Sequence, residues 1–438
     1  MDMTTNKTTF NKYPAYKESG IEWLGEIPAE WEVLKIKNVS RINTNSLSED
    51  CKGDFEFNYV DIGNVTYEKG IVGTEKFTFR NAPSRARRIA KPKDTIISTV
   101  RTYLKAIDFI SKEKSKYIFS TGFAVLEPIN NKIIPQFLSS FVKSSMFTNQ
   151  VDIASKGMSY PAINSTDLSN LRICIPSRTE QTAIANFLDE KTTKIDQAIA
   201  QKEQLIALLK ERKQIIIQHA VTKGLDPNAK MKDSGVEWIG EIPEGWEVKK
   251  LKFLFDEINE RSVEGTEELL SVSHMTGVTP RSEKDVNMFL AEDYAGSKLC
   301  RAGDVVYNIM WTWMGALGVS YQTGIVSPSY GVYRQKDSEV FNSEFLEYKF
   351  KSAEYIDYYN RVSTGLHSSR LRFYSHMFMG MEITYPNKEE QDRIIENIKT
   401  QSTKIDQAIT LQQTQIQKLK EYKATLIDSA VTGKIKVI

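Results

Sequence analysis

The sequence predicts an α+β protein with an internal repeat, in which two similar globular segments alternate with two long helices. Three observations support this fold class. A long helical stretch occurs twice, a tryptophan-containing opening occurs twice, and short runs typical of β-strands lie between them. A chain of 438 residues is also long enough to hold more than one domain.

The opening of each globular segment is the first repeated element. Lys-Glu-Ser-Gly-Ile-Glu-Trp-Leu-Gly-Glu-Ile-Pro at 17–28 recurs as Lys-Asp-Ser-Gly-Val-Glu-Trp-Ile-Gly-Glu-Ile-Pro at 232–243, and each copy is followed by another tryptophan, Trp31 or Trp246. These tryptophans could stack on nucleic-acid bases. Since they lie among Ile, Leu and Pro, and the two copies barely differ, we expect them to serve core or docking packing instead.

Each globular segment then shows short β-branched and aromatic runs separated by Gly, Asn, Pro and Lys, a pattern typical of strands and turns. The predicted strands are 57–62, 77–79, 95–100 and 123–126 in the first segment, and 269–272, 304–310 and 331–333 in the second. Helical spacing predicts one helix at 135–150 and one at 343–359. The predicted order is globular segment (1–178), helix (179–224), globular segment (225–388) and helix (389–438).

The long helices are predicted from the absence of Pro and of interior Gly and from an identical Thr-Lys-Ile-Asp-Gln-Ala-Ile at 193–199 and 403–409. Each can be one helix of about 40 residues, near 60 Å long. Apolar residues follow a heptad seam in both copies. The seam residues are Ile195, Ile199, Ile206, Leu209 and Ile216, then Ile405, Ile409, Ile416, Leu419 and Leu426.

An amphipathic helix this long needs a partner for its apolar stripe, and the duplication supplies that partner within the same chain. The alternative is a pair of solvated surface helices. Two seam positions are polar in each copy, Lys202 and Lys213 in the first and Gln412 and Lys423 in the second. Because polar residues in a seam fix register, these four are candidates for setting the alignment of the pair.

Composition limits the class of protein. The formal net charge is only +2, so a nucleic-acid site must come from local clustering of Lys and Arg. The three scattered cysteines, Cys51, Cys174 and Cys300, predict reduced thiols in a cytoplasmic protein rather than a disulfide framework. The polar N-terminus predicts no secretory signal, and no run approaches the ~20 apolar residues of a membrane span.

The sequence contains no recognisable catalytic or cofactor motif. It has no Walker A pattern, no glycine-rich S-adenosylmethionine loop and no amino-methyltransferase Asn/Asp-Pro-Pro-Tyr/Phe motif. The four histidines have no zinc-ligand spacing. We therefore expect a recognition protein that holds no metal or cofactor of its own, rather than an enzyme.

The strongest local charge signal lies between Arg80 and Lys105. Eight cations minus one acid, Asp94, leave a charge of +7 in this stretch. Such a cluster can neutralise phosphates, and arginine can also make paired hydrogen bonds to guanine. DNA contact is the favoured interpretation, and a solvated, charge-rich loop is the alternative.

Weak alignment of the two globular segments extends the set of candidates. Arg101-Thr102-Tyr103 aligns with Trp311-Thr312-Trp313, and 156–160 aligns with 364–368. The Trp311 and Trp313 rings could pack against sugars, thymine methyls or an extruded base, or could belong to the core. The predicted DNA-contacting residues are Arg80, Arg85, Arg87, Arg88, Lys91, Arg101, Tyr103, Lys105, Lys156, Ser159, Tyr160, Arg281, Trp311, Trp313, Arg361, His367, Ser368 and Arg370.

Taken together, these features resemble the DNA specificity subunit of type I restriction–modification enzymes. The resemblance covers nearly the whole chain and rests on motifs that each occur twice in the same order. They are the Trp-Leu/Ile-Gly-Glu-Ile-Pro openings at 23–28 and 238–243, the strand ends at 94–105 and 304–316, the Ile-x-Pro…Glu-Gln junctions at 173–181 and 383–391, and both Thr-Lys-Ile-Asp-Gln-Ala-Ile helices.

The resemblance implies that each globular segment is a target recognition domain for one half of a bipartite, asymmetric site in double-stranded DNA. The long helices would pair as an antiparallel coiled coil with a pseudo-two-fold internal repeat, and this spacer would set the gap between the half-sites. Two modification subunits would dock on it and methylate adenine N6 with S-adenosylmethionine. Two restriction subunits would supply ATP-dependent translocation and Mg-dependent cleavage. The specificity subunit itself would be non-catalytic and cytoplasmic, with no membrane contact.

One segment departs from the family pattern, because a more polar loop is usual where this chain has Trp311-Thr312-Trp313. A different class of function also remains open, namely a coiled-coil scaffold whose globular segments bind protein without DNA specificity. An enzyme acting alone is disfavoured by the missing motifs.

Overall fold

The computed structural model describes residues 10–21, 24–284, 293–367 and 371–438. The chain divides into two compact units, the first being Met1–Glu203 with Gln413–Ile438 and the second Gln204–Gln412. Each unit combines a globular α+β part with one segment from each of two long helices. No helix in the described ranges is long and apolar enough to cross a membrane.

The first globular part is built from short strands. They are β1 (Tyr16–Glu18), β2 (Glu26–Pro28), β3 (Glu32–Lys35), β4 (Ser40–Ile42), β5 (Glu56–Val60), β6 (Val65–Thr66), β7 (Gly70–Ile71), β8 (Glu75–Thr78), β9 (Ala86–Ile89), β10 (Thr95–Ser98), β11 (Ile107–Phe109), β12 (Ile118–Ser120), β13 (Phe123–Pro128) and β14 (Arg172–Ile175). The helices are α1 (Ile36–Val39), α2 (Pro135–Lys143), α3 (Ser145–Ala154), α4 (Ser165–Asn170) and the long α5 (Arg178–Lys223).

Two four-stranded sheets organise this part, in the orders β11-β10-β13-β4 and β8-β5-β12-β9. Strand β10 lies between two antiparallel neighbours, and all four of its residues are buried. The chain that leaves β10 at its C-terminal end therefore emerges from the centre of a sheet, and it carries Arg101.

The second unit has strands β15 (Met231–Asp233), β16 (Glu241–Pro243), β17 (Glu247–Lys250), β18 (Phe255–Glu257), β19 (Leu270–Ser273), β20 (Gly277–Pro280), β21 (Lys298–Cys300), β22 (Val305–Tyr307), β23 (Leu317–Val319), β24 (Gly324–Val326), β25 (Gly331–Gln335) and β26 (Glu382–Tyr385). Its helices are α6 (Ser343–Phe350), α7 (Ala353–Val362), α8 (Ser375–Gly380) and the long α9 (Lys388–Val431). Strands are confirmed at all seven predicted places, but the one predicted at 304–310 is limited to Val305–Tyr307, because the chain turns after Tyr307.

The two units share one sheet order, since β18-β25-β22-β23 repeats β4-β13-β10-β11. Asp94 and Asp304 start the central strands in the same way, because each side chain accepts a hydrogen bond from the amide three residues earlier. Ser98 N donates to Ala106 O just as Asn308 N donates to Ala316 O. The turns that follow β10 and β22 therefore have the same length.

Cross-helix contacts inside each unit run antiparallel. In the first unit, Lys423 Nζ lies 2.7 Å from both carboxylate oxygens of Asp196, and Lys202 bonds Gln415. In the second unit, Lys213 Nζ lies 2.9 and 2.7 Å from the carboxylate oxygens of Asp406. Lys423 and Lys213 thus each pair with the aspartate of the other copy's repeated heptapeptide, whereas Lys202 pairs with a glutamine.

These ion pairs act on register more than on stability, because exposed pairs typically contribute about 1 kcal/mol or less. The apolar seam supplies the packing. Its residues are buried or half-buried throughout: Ile195, Ile199, Ile206, Leu209, Ile216, Ile405, Ile409, Ile416, Leu419 and Leu426.

The repeated tryptophans after each opening anchor the helix ends. Trp31 and Trp246 are each 1% exposed. Trp31 Nε1 donates to Glu180 Oε2 at 3.2 Å, and Trp246 Nε1 donates to Glu390 Oε1 at 3.1 Å. The prediction of packing rather than base stacking is confirmed for these two residues. Trp238 packs against Tyr355 and Tyr358, whereas Trp23 lies outside the described residues.

The predicted single helices at 135–150 and 343–359 are wrong, because each is broken in two. Ser144 adopts an extended conformation between α2 and α3, and its Oγ accepts from Phe147 N as the N-cap of α3. Ser352 is extended in the same way before α7. The Ser144 side chain thus caps the following helix, whereas Ser352 Oγ makes no capping hydrogen bond and is buried without a partner among the described residues.

Lys349 on α6 is a buried cation that the sequence did not single out. It is 1% exposed, its Nζ donates to Val221 O at 3.0 Å, and it lies 5.1 Å from the Trp246 ring centroid. Burial lowers the pKa of this amine from 10.5 to about 7. Matching hydrogen bonds from Ser144 N to Phe141 O and from Ser352 N to Lys349 O show that Phe141 occupies the equivalent position in the first unit.

Stability of the second unit is expected to rise with pH because of Lys349. Between its folded pKa and its unfolded pKa the unfolded chain binds more protons, so raising the pH from 7 to 9 should add about 2 kcal/mol to the free energy of unfolding. Lys349→Met should abolish this increment while keeping the apolar stem against Trp246. Urea unfolding at pH 7, 8 and 9 measures it. An equal pH slope in Lys349→Met and in the wild type would refute the assignment, and Lys404→Met, on an exposed helix face, is the control.

Candidate nucleic-acid interface

The turn that leaves β10 presents Arg101 and Tyr103 to solvent. Arg101 and Lys105 both adopt left-handed backbone conformations, with φ of 52° and 47°, on either side of a single helical turn at Thr102–Leu104. Such conformations are costly for residues with a side chain and persist only where the surroundings enforce them. Thr102 is buried beneath the turn, while Tyr103 is 56% exposed. The turn is therefore a rigid platform with outward side chains.

A second loop, residues 155–162, is held beside this turn. Ser155 Oγ donates to Thr102 Oγ1 at 3.1 Å, and Thr102 N donates to Pro161 O. The Arg101 guanidinium lies 5.3 Å from the Tyr160 ring centroid, a cation–π arrangement. Six predicted residues thus come together: Arg101, Tyr103, Lys105, Lys156, Ser159 and Tyr160. We call them the first reading surface.

The remaining cations of the basic cluster lie on and around β9, and most have partners. Arg85 faces Asp61 at 3.7 Å, Arg87 lies 4.7 Å from the Phe79 ring centroid, and Lys91 pairs with Glu127 at 3.3 Å. Arg80 packs along Gly53. The predicted cluster of +7 therefore does not form one uniform patch.

Arg88 is half-buried, and it differs from Arg85, Arg87 and Lys91 in the burial of its guanidinium. Its Nε has no hydrogen-bond partner among the described residues, and burial lowers its pKa. The acid of the cluster, Asp94, is itself buried and accepts a hydrogen bond from Lys91 N at 2.7 Å. Burial raises the Asp94 pKa to about 6, so this carboxylate belongs to the strand start rather than to the surface.

The equivalent turn in the second unit is apolar. Trp311 and Trp313 stack with ring centroids 6.0 Å apart and planes at 25°. Trp311 is 44% exposed, while Trp313 is half-buried and donates through Nε1 to Met310 O at 2.9 Å. The chain around Thr364 and Arg372 lies beside this turn, since these two residues form a bridge and Phe373 N donates to Ile309 O.

The other predicted residues of the second unit are more dispersed. Arg361 on α7 lies 5.8 Å from the Tyr358 ring centroid, and His367 is exposed in the loop. Arg281 follows β20, and its Nη2 is buried without a hydrogen-bond partner among the described residues. Ser368 and Arg370 lie outside the described residues.

Sequence reasoning missed Lys298, a buried cation in the second unit. Lys298 forms an antiparallel backbone bridge with Arg261, and Arg88 forms one with Ser46 in the first unit. Lys298 and Arg88 are therefore equivalent positions. Lys298 Nζ donates to Tyr330 O at 2.8 Å, and burial lowers its pKa. Alignment of the two globular segments would have found it. In the described part of the chain no group of His, Cys, Asp and Glu residues could hold a metal ion.

Residues 28–209 match the family model of the type I restriction modification DNA specificity domain. A type I restriction enzyme specificity subunit of Methanocaldococcus jannaschii, MjaVIII, is 26% identical over 344 residues, which are 74% of this chain and 75% of that subunit. Residues 28–209 thus carry the match to this specificity domain, and the chain as a whole is similar to type I restriction enzyme specificity subunits.

Two further comparisons extend this result. The putative MjaX specificity subunit of the same organism is 27% identical, and the match spans 54% of this chain and 56% of that subunit, about half of each. A chain from a solved structure of a type I restriction–modification system has the same fold, with a TM-score of 0.68 at 21% identity over 93% of this chain and 99% of that one. The fold of that chain thus extends over both units.

Proposed function

We propose that this chain is the non-catalytic DNA specificity subunit of a type I restriction–modification complex, and that each unit reads one half of a bipartite, asymmetric site. One observation carries the proposal. Both units present a rigid turn after the central strand with a loop beside it, yet the exposed side chains at the equivalent positions Arg101 and Trp311 differ in chemistry. One architecture with two different contact surfaces suits a protein that reads two unlike half-sites.

In this proposal the first reading surface contacts one half-site. Lysines 105 and 156 would meet phosphates, and Arg101 would present its guanidinium fork to guanine O6 and N7. The stack on Tyr160 restricts the guanidinium before DNA arrives, which lowers the entropy cost of binding. Arg80, Arg85 and Arg87 would add phosphate contacts, in so far as their present partners release them.

Mapping N6-methyladenine in a genome that expresses the chain with its modification subunit tests the proposal directly. A two-part, asymmetric motif with a fixed gap is the expected result. Adenine methylation that is absent, or that lacks a second specified half, would contradict it. A coiled-coil scaffold without DNA specificity, the alternative function, predicts that absence.

Arg101→Ala is expected to weaken binding to the specific site by about 1–3 kcal/mol and to relax one base position in one half-site. Binding to random DNA should change little, because the lost contact is to a base edge. Competition binding with duplexes that vary one position at a time measures both effects. Lys112→Ala, at an exposed turn away from the surface, is the control. An equal loss on specific and random DNA would make Arg101 a phosphate contact.

The proposed complex also needs a surface for two modification subunits, which would carry S-adenosylmethionine. Leu205, Leu208 and Ile215 form an apolar stripe on one face of α5, outside the seam, with exposures of 42%, 54% and 59%. Exposed stripes of this kind mark protein interfaces. We propose that a modification subunit covers it, and that two restriction subunits, with ATP and Mg, join through the assembled complex.

Leu208→Asp is expected to weaken association with the modification subunit by roughly tenfold or more, because burying an unpaired carboxylate is costly. DNA-independent co-purification and titration by light scattering measure it. Gln214→Asp adds the same charge on another exposed face of α5 and should leave association unchanged. Equal behaviour of the two variants would rule this stripe out as the docking surface.

A further inference from the structure

We propose that the second unit recognises its half-site by apolar contact with thymine methyl groups, through a surface formed by Met310, Trp311 and Met314. This inference rests on the proposed function, since it names the base chemistry that the second turn would read. It assigns the two units opposite chemistries, hydrogen bonding to guanine in the first and methyl contact in the second.

The position of the surface follows from the match between the two turns. Ser98 N to Ala106 O and Asn308 N to Ala316 O close turns of equal length, so Trp311 stands where Arg101 stands. Each turn is flanked by an antiparallel bridge in the neighbouring loop, Lys156 with Ala162 and Thr364 with Arg372. If Arg101 faces a base edge, Trp311 faces the equivalent one.

The second turn has almost no polar group to offer. Residues 309–316 carry no charged side chain. Thr312 is buried and donates through Oγ1 to Asn308 O at 2.6 Å, and Trp313 Nε1 donates to Met310 O. Paired hydrogen bonds to a base, which need a fork such as a guanidinium or an amide, are therefore excluded for this turn.

The exposed part of the turn is apolar instead. Met310 is 37% exposed, Trp311 44% and Met314 38%, so this surface is not core. In the major groove the C5-methyl of thymine is the apolar group that base edges present. Arg372, held beside the turn through the Thr364 bridge and Phe373, and the exposed His367 can meet the flanking phosphates.

An extruded base does not fit between the two tryptophans. A base inserted between parallel rings needs about 6.8 Å, twice the 3.4 Å stacking distance. The Trp311 and Trp313 centroids are 6.0 Å apart, and the rings already stack on each other. Trp313 is moreover fixed through its Nε1, so the pair acts as one apolar block rather than as a clamp.

Duplexes in which single thymines are replaced by deoxyuridine test the proposal, because this change removes only the methyl group. The full chain with its modification subunit is titrated against the mapped site, one thymine at a time in both half-sites. Burial of one methyl corresponds to roughly a fourfold change in affinity. We expect such a loss at one or more thymines of a single half-site, and none in the gap.

Trp311→Ala supplies the decisive comparison. Its side chain is exposed, so the variant should fold, and the deoxyuridine effect should vanish in it while the other half-site is read as before. The proposal is overturned if no thymine responds, or if the response is equal in Trp311→Ala. If the chain binds the thymine-containing site specifically but deoxyuridine has no effect, only this inference fails and the proposed function stands. If the chain does not bind the mapped site at all, the inference and the proposed function both fail.

Discussion

Removing one heptad from each long helix, residues 201–207 and 411–417, is expected to change the gap between the recognised half-sites while both half-site sequences stay the same. Seven residues of helix correspond to about 10.5 Å, or three base-pair steps of 3.4 Å. Only the part of this length that lies along the DNA axis changes the spacing of the half-sites, so the gap should shorten by up to about three base pairs. Methylation at the original spacing should fall by about 100-fold or more, because only one half-site can then be engaged.

The choice of residues follows from the contacts inside each unit. Asp196 pairs with Lys423 in the first unit, and Lys213 pairs with Asp406 in the second, so both deletions fall between the ion pairs and leave them intact. Lys202 and Gln415, which bond each other, are removed together. A full heptad also keeps the seam in phase.

Two controls separate length from composition. Replacing residues 201–207 with 411–417, and the reverse, changes the sequence but not the length and should leave the gap unchanged. Deleting 201–207 alone mismatches the two helices and should destabilise the pair. Methylome sequencing of cells with each variant measures the gap. An unchanged gap in a stable double-deletion variant would contradict the proposal that the helices set the spacing between the half-sites.

Trp246→Ala is expected to destabilise the second unit by about 3–5 kcal/mol, the usual cost of truncating a buried aromatic residue. The ring is 1% exposed, packs edge-on against Phe345 at 6.3 Å, and approaches Gly224 at the end of α5. Its Nε1 bonds Glu390 at the start of α9. Truncation therefore opens a cavity and also removes the hydrogen-bond donor of that carboxylate.

Graded variants distinguish packing from hydrogen bonding. Trp246→Phe keeps most of the ring and should lose only about 1.5–3 kcal/mol, the contribution of a hydrogen bond to a charged group. Trp31→Ala should destabilise the first unit as much as Trp246→Ala destabilises the second. Trp31 bonds Glu180, and Gly433 approaches its ring. Trp311→Ala, on an exposed ring, should stay within about 0.5 kcal/mol of the wild type. Urea unfolding followed by near-ultraviolet circular dichroism measures all four.

Similar stabilities of Trp246→Ala and Trp311→Ala would contradict this division of the tryptophans into anchors and contact residues. Because the two units have separate compact cores, Trp246→Ala should impair reading of one half-site before the other. Partial digestion combined with binding to single half-site duplexes would detect that order.

The sequence alone determined the repeat, the length of both helices and the face that each buries. These features depend on local periodicity, and one turn of helix repeats the same geometry wherever it occurs. The seam from Ile195 to Ile216 could be read for that reason. The strands were found by the same logic, whereas the breaks at Ser144 and Ser352 depend on one extended residue in each helical stretch, which the apolar spacing did not reveal.

Only the tertiary structure decided which side chains meet across long stretches of chain. Lys423 and Lys213 were candidates for setting the register, but their partners, Asp196 and Asp406, emerged only once the helices were aligned. The cluster between Arg80 and Lys105 looked continuous in sequence, yet folding separates the paired cations around β9 from Arg101, which Tyr160 joins from another loop. The sequence shows which residues are charged, but their exposure and their partners depend on the path of the chain. Exposure and partners decide which of these residues remain free to bind a ligand.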